Sequence, residues 1–295
     1  MLKKGDKVGL VCCSNPRRRE EEGQILQLAK KLQDMGLVPV FSEYIYADDG
    51  EAAATALGAA TGKERARALM EFYRDDEIKA VFDISGGDLA NGVLPYLAYD
   101  EIAQSAKYFW GYSDLTTLVN AIYAKTGKAS VLYQIRNMMS ETHGEQQAVD
   151  FRNAVVESGG KQRAELFRFD YELVQGSELS GVVVGGNIRC FLKLAGTPYM
   201  PDLTGKVLFL EARSGFEAQI ETYMSQLSQI GAFDLVSGVL LGTFTKLEAV
   251  KGMPSQVEIL KKYVREDIPI AVTRSIGHGT DSKAVWIGKE LDRNS

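Results

Sequence analysis

The chain has 295 residues, 45% of them hydrophobic and 25% charged, which is enough to bury the cores of two ordinary domains. Its 34 basic and 39 acidic residues give a formal net charge of −5, a balance that argues against a nucleic-acid partner. The first apolar run, residues 7–13, is too short to cross a membrane and lacks the small-residue cleavage site of an export signal, so we expect neither a membrane partner nor export.

The cysteines indicate the compartment. Cys12, Cys13 and Cys190 are odd in number, two are adjacent, and none has the spacing of a zinc-ligand pair. We therefore expect reduced thiols and a cytoplasmic location.

The first half of the chain alternates short apolar runs with helical periods, which predicts a parallel α/β sheet. The polar, alanine-rich residues 47–62 are predicted to form a surface excursion. The predicted strands are 7–13, 37–41, 80–84, the stretch from 107 and 129–135, and the predicted helices are 24–35, 63–73, the stretch up to 125 and 145–157.

Residues 107–122, KYFWGYSDLTTLVNAI, change from an aromatic run to a helical period at Ser113 and Asp114. Such a turn holds a serine hydroxyl at the carboxyl edge of a parallel sheet, beside free N–H groups of the next helix, as a nucleophile requires. The alternative is that Ser113 only caps the helix. Gly86 and Gly87 follow an earlier strand, and they are either a ligand-binding turn or merely a tight one.

The second half has a different sequence pattern, in which glycines separate short β-rich runs. We predict a compact α+β domain that begins between residues 160 and 180, with AVWIGKEL (284–291) closing the chain as a strand pair. Its other predicted strands are 181–187, 206–211, 238–244 and 269–275, and its predicted helices are 189–194, 217–230 and 256–266.

Only two histidines are available as a general base. His143 lies in a polar segment and is predicted to be a solvated loop or helix-start residue. His278 follows a predicted strand between two glycines, which leave its imidazole uncrowded. Glu211 ends the apolar run VLFLE, so its carboxylate needs a partner, either an imidazole or the nearby Arg213.

Ser113, Glu211 and His278 together supply a nucleophile, an orienting carboxylate and a base, each at the end of a predicted strand. The serine is not in a G-x-S-x-G motif, because Leu115 stands in place of the second glycine. The histidines and cysteines match no metal-ligand pattern, and the glycine-rich segments match no nucleotide fingerprint, so no metal and no cofactor are predicted.

Three motifs in this order carry a family resemblance: GYSDLT (111–116), LFLE (208–211) and GHG (277–279). With them, the chain resembles, nearly end to end, the LD-carboxypeptidase (muramoyltetrapeptide carboxypeptidase) family of serine peptidases. This family also contains the microcin C immunity peptidases.

The resemblance implies a flavodoxin-like nucleophile domain, residues 1–165, and a swivelling β/α domain, residues 166–295, that carries the Glu and His of a Ser113–His278–Glu211 triad. It also implies an oxyanion hole formed by backbone N–H groups of Asp114, Gly86 and Gly87. Members of the family are typically metal-free homodimers.

The implied activity is hydrolysis of the amide between an L-centre and a terminal D-alanine of cell-wall tetrapeptides, in murein recycling. The implied partner is thus a small peptide or muropeptide. One alternative is a microcin C-type immunity peptidase that cleaves a peptidyl nucleotide, and another is a non-catalytic peptide-binding protein on the same scaffold.

Two segments depart from the family pattern. Ser85 stands where an arginine usually precedes the paired glycines, and Tyr133-Gln134-Ile135 stands where His-Gly-Pro is usual. Both segments are expected to line the substrate pocket, so Ser85 and Tyr133 are predicted to bind substrate. A lost arginine would remove a fork able to hold a carboxylate.

Overall fold

A computed structural model describes residues 2–47, 60–157 and 165–291. The strands are β1 (Lys7–Val11), β2 (Val38–Phe41), β3 (Ile78–Asp83), β4 (Phe109–Gly111), β5 (Ser130–Leu132), β6 (Glu172–Gln175), β7 (Val183–Asn187), β8 (Val207–Ala212), β9 (Gly238–Phe244), β10 (Ile270–Val272) and β11 (Val285–Ile287). The helices are α1 (Glu22–Asp34), α2 (Gly62–Arg74), α3 (Tyr99–Gln104), α4 (Thr116–Thr126), α5 (Gly144–Arg152), α6 (Ile188–Leu192), α7 (Glu217–Gln229), α8 (Ala232–Leu235), α9 (Thr245–Glu248) and α10 (Gln256–Leu260).

The first sheet has the strand order β11-β5-β4-β3-β1-β2, and β1 to β5 pair in parallel. The order β2-β1-β3-β4-β5 is the flavodoxin-like one, and it confirms the parallel sheet predicted for the first half. Most of the surface excursion predicted at 47–62 lies outside the described residues. In such a sheet the loops at the carboxyl ends of the strands form the ligand site, so the turns after β3, β4 and β5 share one edge.

The second sheet has the order β6-β10-β9-β8-β7, in which β7 to β10 pair in parallel and only β6 is antiparallel. Helices α6, α7 and α10 lie between these strands in the chain. The α+β domain predicted from the glycine-punctuated runs is therefore wrong, and the β/α domain implied by the family resemblance is confirmed. The glycines mark close packing: a Cβ on Gly185 would lie 2.1 Å from the backbone oxygen of Phe209.

The predicted closing strand pair is also wrong. Val285–Ile287 forms one strand, and it joins the first sheet antiparallel to β5. The Trp286 ring stacks on Phe167 with ring centroids 5.3 Å apart and lies 6.5 Å from the Trp110 ring, so aromatic packing draws the end of the chain back. Residues 158–164 lie outside the described part, and the domain division at residue 165 stays a prediction.

Helix α4 joins the two sheets. Residues 116–122 are all buried, because one side of the helix packs on the first sheet and another meets β7. Asn120 donates from Nδ2 to the Gly185 oxygen (2.8 Å) and accepts from the Gly185 N–H at Oδ1 (2.8 Å). The turn that begins this helix is thereby held in register with the carboxyl end of β7.

Within residues 2–47, 60–157 and 165–291, no helix has both the length and the apolar character that spanning a membrane requires.

The three cysteines are buried and form no disulfide. Burial, reinforced by the nearby Asp83 carboxylate, raises the pKa of the Cys12 and Cys13 thiols, so neither has the character of a reactive thiolate.

Candidate active site

Three side chains that are distant in the sequence form one hydrogen-bonded chain between the two sheets. Ser113 Oγ lies 3.1 Å from His278 Nε2, and His278 Nδ1 lies 2.6 Å from Glu211 Oε2. Ser113 follows β4, Glu211 lies in β8, and His278 lies in the loop after β10. The serine therefore comes from the first sheet, whereas the other two groups come from the second.

The backbone at Ser113 is strained. Its φ of 58° is the only positive φ of a non-glycine residue in the described ranges. A left-handed serine costs about 1–2 kcal/mol, and such a residue at the turn from a strand to a helix is how a nucleophile is lifted above a sheet edge. Its hydroxyl contacts the imidazole and makes no capping bond, so the simple N-cap alternative is not supported.

Glu211 is fully buried, and both of its carboxylate oxygens are occupied. Oε2 faces the imidazole, and Oε1 accepts from Asn187 Nδ2 at 3.0 Å. The alternative partner Arg213 is exposed and does not pair with Glu211. Because an ionised carboxylate only accepts hydrogen bonds, Nδ1 of His278 carries the ring proton and Nε2 is left to accept from Ser113.

Tyr112 packs against this chain of side chains. Its ring centroid lies 5.0 Å from that of His278. Burial, with the Glu211 carboxylate as the second cause, raises the pKa of Tyr112 well above its usual value. The phenol therefore stays neutral and serves as a wall that limits the rotation of the imidazole.

Asn187 was missed by sequence reasoning, although it is the last residue of the predicted strand GVVVGGN (181–187). It is buried, caps α6 by accepting the Cys190 N–H at Oδ1 (3.3 Å), and donates to Glu211. A polar residue at the end of a buried strand was the available signal, because that is where parallel sheets place their sites.

Asn187→Ala is expected to lower kcat about 10-fold and to destabilise the fold by about 1–2 kcal/mol, because a helix cap and a donor to a buried carboxylate are both lost. Hydrolysis rates and urea unfolding measure the two effects. Ser255→Ala is the matched control, since Ser255 caps α10 by accepting the Glu258 N–H and makes no hydrogen bond to Ser113, His278 or Glu211 within the described residues. An Asn187→Ala enzyme with unchanged kcat would remove Asn187 from the positioning of Glu211.

Asp114, the residue after the nucleophile, is the centre of a second buried network. Its Oδ2 accepts from the Ser14 hydroxyl (2.6 Å) and the Ala90 N–H (2.8 Å), and its Oδ1 pairs with Lys193. The carboxylate is fully buried and Lys193 is 19% exposed. These bonds fix the peptide next to Ser113, and Lys193 adds a link from the second half of the chain.

Lys193→Met is expected to destabilise the protein by about 3 kcal/mol, because it leaves the buried Asp114 charge without its cation. Adding Asp114→Asn should recover most of that loss, since the amide needs no counter-charge. Urea unfolding of both variants tests this pairing. The surface pair Lys262–Glu221 provides the control: Lys262→Met should leave the free energy of unfolding almost unchanged.

The Gly86-Gly87 turn lies at the same edge, after β3. Gly87 has a φ of 126°, and a Cβ there would lie 2.3 Å from Asn15 Oδ1, so only glycine fits. Arg189, on α6, donates from Nη2 to the Gly87 oxygen (3.1 Å) and pairs with Asp88. Both halves of the chain therefore hold this turn in place.

The two side chains predicted to bind substrate are enclosed by their own contacts. Ser85 is fully buried; its hydroxyl donates to Asp83 (2.5 Å) and accepts from the Ser14 N–H (2.9 Å). Tyr133 is 1% exposed and donates to Gln147 Oε1 at 2.7 Å. Because neither side chain presents a free polar atom, their packing does not support direct side-chain contact with substrate.

The remaining titratable candidates do not form a further centre. His143 is exposed just before α5, as the sequence predicted for a helix-start residue, and its Nδ1 lies 2.8 Å from Thr280 Oγ1. Across residues 2–47, 60–157 and 165–291, no three His, Cys, Asp or Glu side chains cluster as metal ligands. A serine, a histidine and a glutamate in one hydrogen-bonded chain at a sheet edge form the constellation of serine hydrolases.

Comparisons with known proteins identify the family. The family model described as LD-carboxypeptidase N-terminal domain matches residues 8–133, and the model described as LD-carboxypeptidase C-terminal domain matches residues 180–292. Together the two matches span most of the sequence; the first includes Ser113, and the second includes Glu211 and His278. The protein belongs to the LD-carboxypeptidase family.

Individual relatives agree with this assignment. The probable murein peptide carboxypeptidase of Bacillus subtilis (strain 168) is 30% identical over 308 residues, covering 100% of this chain and 90% of that protein. The microcin C7 self-immunity protein MccF of Escherichia coli is 25% identical over 294 residues, covering 90% of this chain and 84% of that protein. A structure of MccF in complex with glutamyl sulfamoyl guanosine matches with a TM-score of 0.84 at 22% identity, over 98% of this chain and 93% of that one; this likeness concerns the fold.

Proposed function

We propose that the protein is a serine LD-carboxypeptidase that hydrolyses the amide between an L-centre and a terminal D-alanine of cell-wall tetrapeptides. The observation that carries the proposal is the hydrogen-bonded chain from Ser113 through His278 to Glu211. The likeness to a probable murein peptide carboxypeptidase across the whole chain supports the choice of substrate.

The reaction begins with proton transfer. His278 Nε2 takes the hydroxyl proton as Ser113 Oγ attacks the amide carbonyl, and Glu211 holds the ring and stabilises the imidazolium that forms. The imidazolium then protonates the leaving nitrogen of D-alanine, and the C–N bond breaks to give an acyl-enzyme. Water, activated by the same imidazole, hydrolyses the ester and restores the serine.

The negative charge of the tetrahedral intermediate needs donors. Asp114 lies in the first turn of the helical segment Ser113–Leu115, and N–H groups in a first turn have no acceptor within the helix. We assign it to the oxyanion hole together with the N–H groups of the Gly86-Gly87 turn. The bonds of Asp114 to Ser14 and of Arg189 to the Gly87 oxygen keep these donors aligned before substrate arrives.

Mass spectrometry of a panel of tetrapeptides after incubation with the protein tests the proposal. We expect the loss of a single D-alanine from each peptide whose third residue joins it through an L-centre. Peptides that end in L-alanine should stay intact. Intact tetrapeptides throughout the panel, from protein whose serine reacts with a fluorophosphonate, would reject the substrate but not the hydrolase chemistry.

A second candidate keeps the triad and changes the substrate to a peptidyl nucleotide. The likeness of the chain to a microcin C7 self-immunity protein favours it. Incubation with a processed microcin-type compound and with a muropeptide, at equal concentrations, separates the two by which amide is cleaved faster.

A third candidate is a non-catalytic peptide-binding protein on the same scaffold. The strained backbone at Ser113 argues against it, because a binding protein has no reason to keep that cost. Labelling of Ser113 by a serine-reactive fluorophosphonate counts further against it, and a triad that fails to react would favour it.

Assembly and location are part of the proposal. We assign a homodimer, as the family resemblance implies, and a cytoplasmic site of action, which suits the buried, unpaired thiols. Light scattering after size-exclusion chromatography measures the first, and cell fractionation measures the second.

A further inference from the structure

Arg136 reaches across the edge of the first sheet. It lies in the loop after β5, yet its Nη2 is 3.9 Å from the position that a Cβ on Gly86 would occupy, in the turn after β3. In the sheet β4 lies between β5 and β3, and β4 leads to Ser113. The Arg136 side chain thus extends from the loop after β5 to the glycine turn after β3, on either side of the strand that leads to the nucleophile.

This guanidinium has no partner within the described residues. Its Nε is buried without a hydrogen bond, and no ion pair of the described ranges includes it. Two buried cations, Arg65 and Lys107, have backbone acceptors instead. Arg65 donates to the backbone oxygens of Ala60, Cys13, Ser14 and Leu89. Lys107 donates to the backbone oxygens of Phe72, Tyr73 and Asp75. Nε of Arg136 is therefore a buried donor without an acceptor among the described residues.

Its electrostatic surroundings call for an anion. Burial, and after it the neighbouring charge of Arg17, lowers the pKa of Arg136 to about 10, so the group is still a cation at neutral pH. Arg17 is itself paired with Glu21. A charge withdrawn from water and left unpaired is unfavourable, and a ligand anion would remove that cost.

We propose that Arg136 binds the terminal carboxylate of the peptide that Ser113 cleaves, and this inference rests on the proposed function. A carboxypeptidase substrate places its carboxylate one residue, about 3.8 Å of chain, beyond the scissile amide. The Gly86-Gly87 turn is our assigned oxyanion donor, so a guanidinium beside Gly86 is at that distance scale. The planar fork of arginine matches a carboxylate with two parallel hydrogen bonds.

The position of Arg136 also bears on Ser85, which stands where the family usually has an arginine. This serine is buried, and its hydroxyl donates to Asp83. Arg136 brings a guanidinium to the same turn from a different strand, and its partly exposed position beside the partly exposed Gly86 leaves the group open to the cleft. The specificity for a free carboxylate thus belongs to the loop after β5.

The test compares a tetrapeptide that has a free carboxylate with the same peptide ending in a carboxamide. Wild-type protein is expected to prefer the carboxylate by about 100-fold in kcat/KM, and Arg136→Gln should lower that ratio to within about 3-fold of unity. Arg136→Lys, which keeps the charge but not the fork, should retain an intermediate preference. Arg265→Gln is the control and should keep the wild-type ratio, because Arg265 is exposed and pairs with Asp234 and Asp267.

A binding measurement separates this inference from the proposed function. In a Ser113→Ala background, calorimetry should show about 10- to 100-fold weaker binding of the carboxylate peptide when Arg136→Gln is added, with little change for the carboxamide. Carboxylate-selective binding without wild-type turnover would reject the function and keep the inference. Turnover with an unchanged carboxylate preference in both Arg136 variants would reject the inference and keep the function.

Fluorophosphonate labelling checks the fold of the Arg136 variants that keep Ser113. Arg136→Gln labelled at the wild-type rate has an intact triad, and its ratio is then decisive. Should the glutamine variant fail to fold, Arg136→Lys decides: a carboxylate preference equal to that of the wild type overturns the role of the fork.

Discussion

Ser113→Ala is expected to lower kcat for tetrapeptide hydrolysis by about 10⁴- to 10⁶-fold without unfolding the chain. The alanine keeps the buried neighbours Tyr112 and Leu115 and removes only the hydroxyl that contacts His278. Release of D-alanine, followed by chromatography, measures the rate. Ser177→Ala, at an exposed turn, is the matched control and should retain full activity.

A glycine variant separates the chemical role of Ser113 from its structural one. Ser113→Gly should be as inactive as Ser113→Ala, yet more stable by about 1 kcal/mol, because glycine adopts a φ near +58° without a steric penalty. Urea unfolding of the two inactive variants gives the difference. Wild-type turnover by either variant would show that another group attacks the amide.

Glu211→Gln is expected to lower kcat by about 10³- to 10⁴-fold, with a well-folded product. The glutamine amide has one oxygen, which either accepts from Asn187 Nδ2 or from His278 Nδ1. If the oxygen faces Asn187, the amide NH₂ faces the ring, and the ring must then carry its proton on Nε2. Such a tautomer cannot accept the proton of Ser113.

The control for this substitution lies six residues further along. Glu217→Gln changes an acidic residue in the first turn of α7, outside the triad, and should leave kcat unchanged within about 2-fold. Both variants replace a glutamate by a glutamine, so a difference between their rates reports the position of the glutamate and not the change of side chain. A Glu211→Gln enzyme that keeps more than a tenth of the activity would contradict the positioning role of Glu211.

Local patterns predicted many of the elements. The helical period at 24–35 matches α1, the one at 63–73 matches α2, and the apolar run 238–244 coincides with β9. These elements follow from the alternation of buried and exposed side chains within one stretch of chain, which neighbouring residues encode. Strand β6 was missed, since none of its residues is fully buried and its pattern is weak.

Strand pairing was predicted less well, for a physical reason. Val285–Ile287 has the same apolar character whether it pairs nearby or with β5, which lies more than 150 residues earlier in the sequence. Aromatic packing of Trp286 on Phe167 and Trp110 selects the distant partner. The parallel pairing of β7 to β10 likewise depends on where the helices between them pack.

The same division holds for the site. Ser113 and Glu211 were found by their positions at the ends of predicted strands, and His278 was found by its position and because the chain has only two histidines. Their convergence, like the bonds of Lys193 to Asp114 and the reach of Arg136 to Gly86, joins groups that are far apart in the chain. Local sequence determined which side chains stand at strand ends; only tertiary packing decided which of them meet, since burial and the pairing of charges are properties of the assembled core.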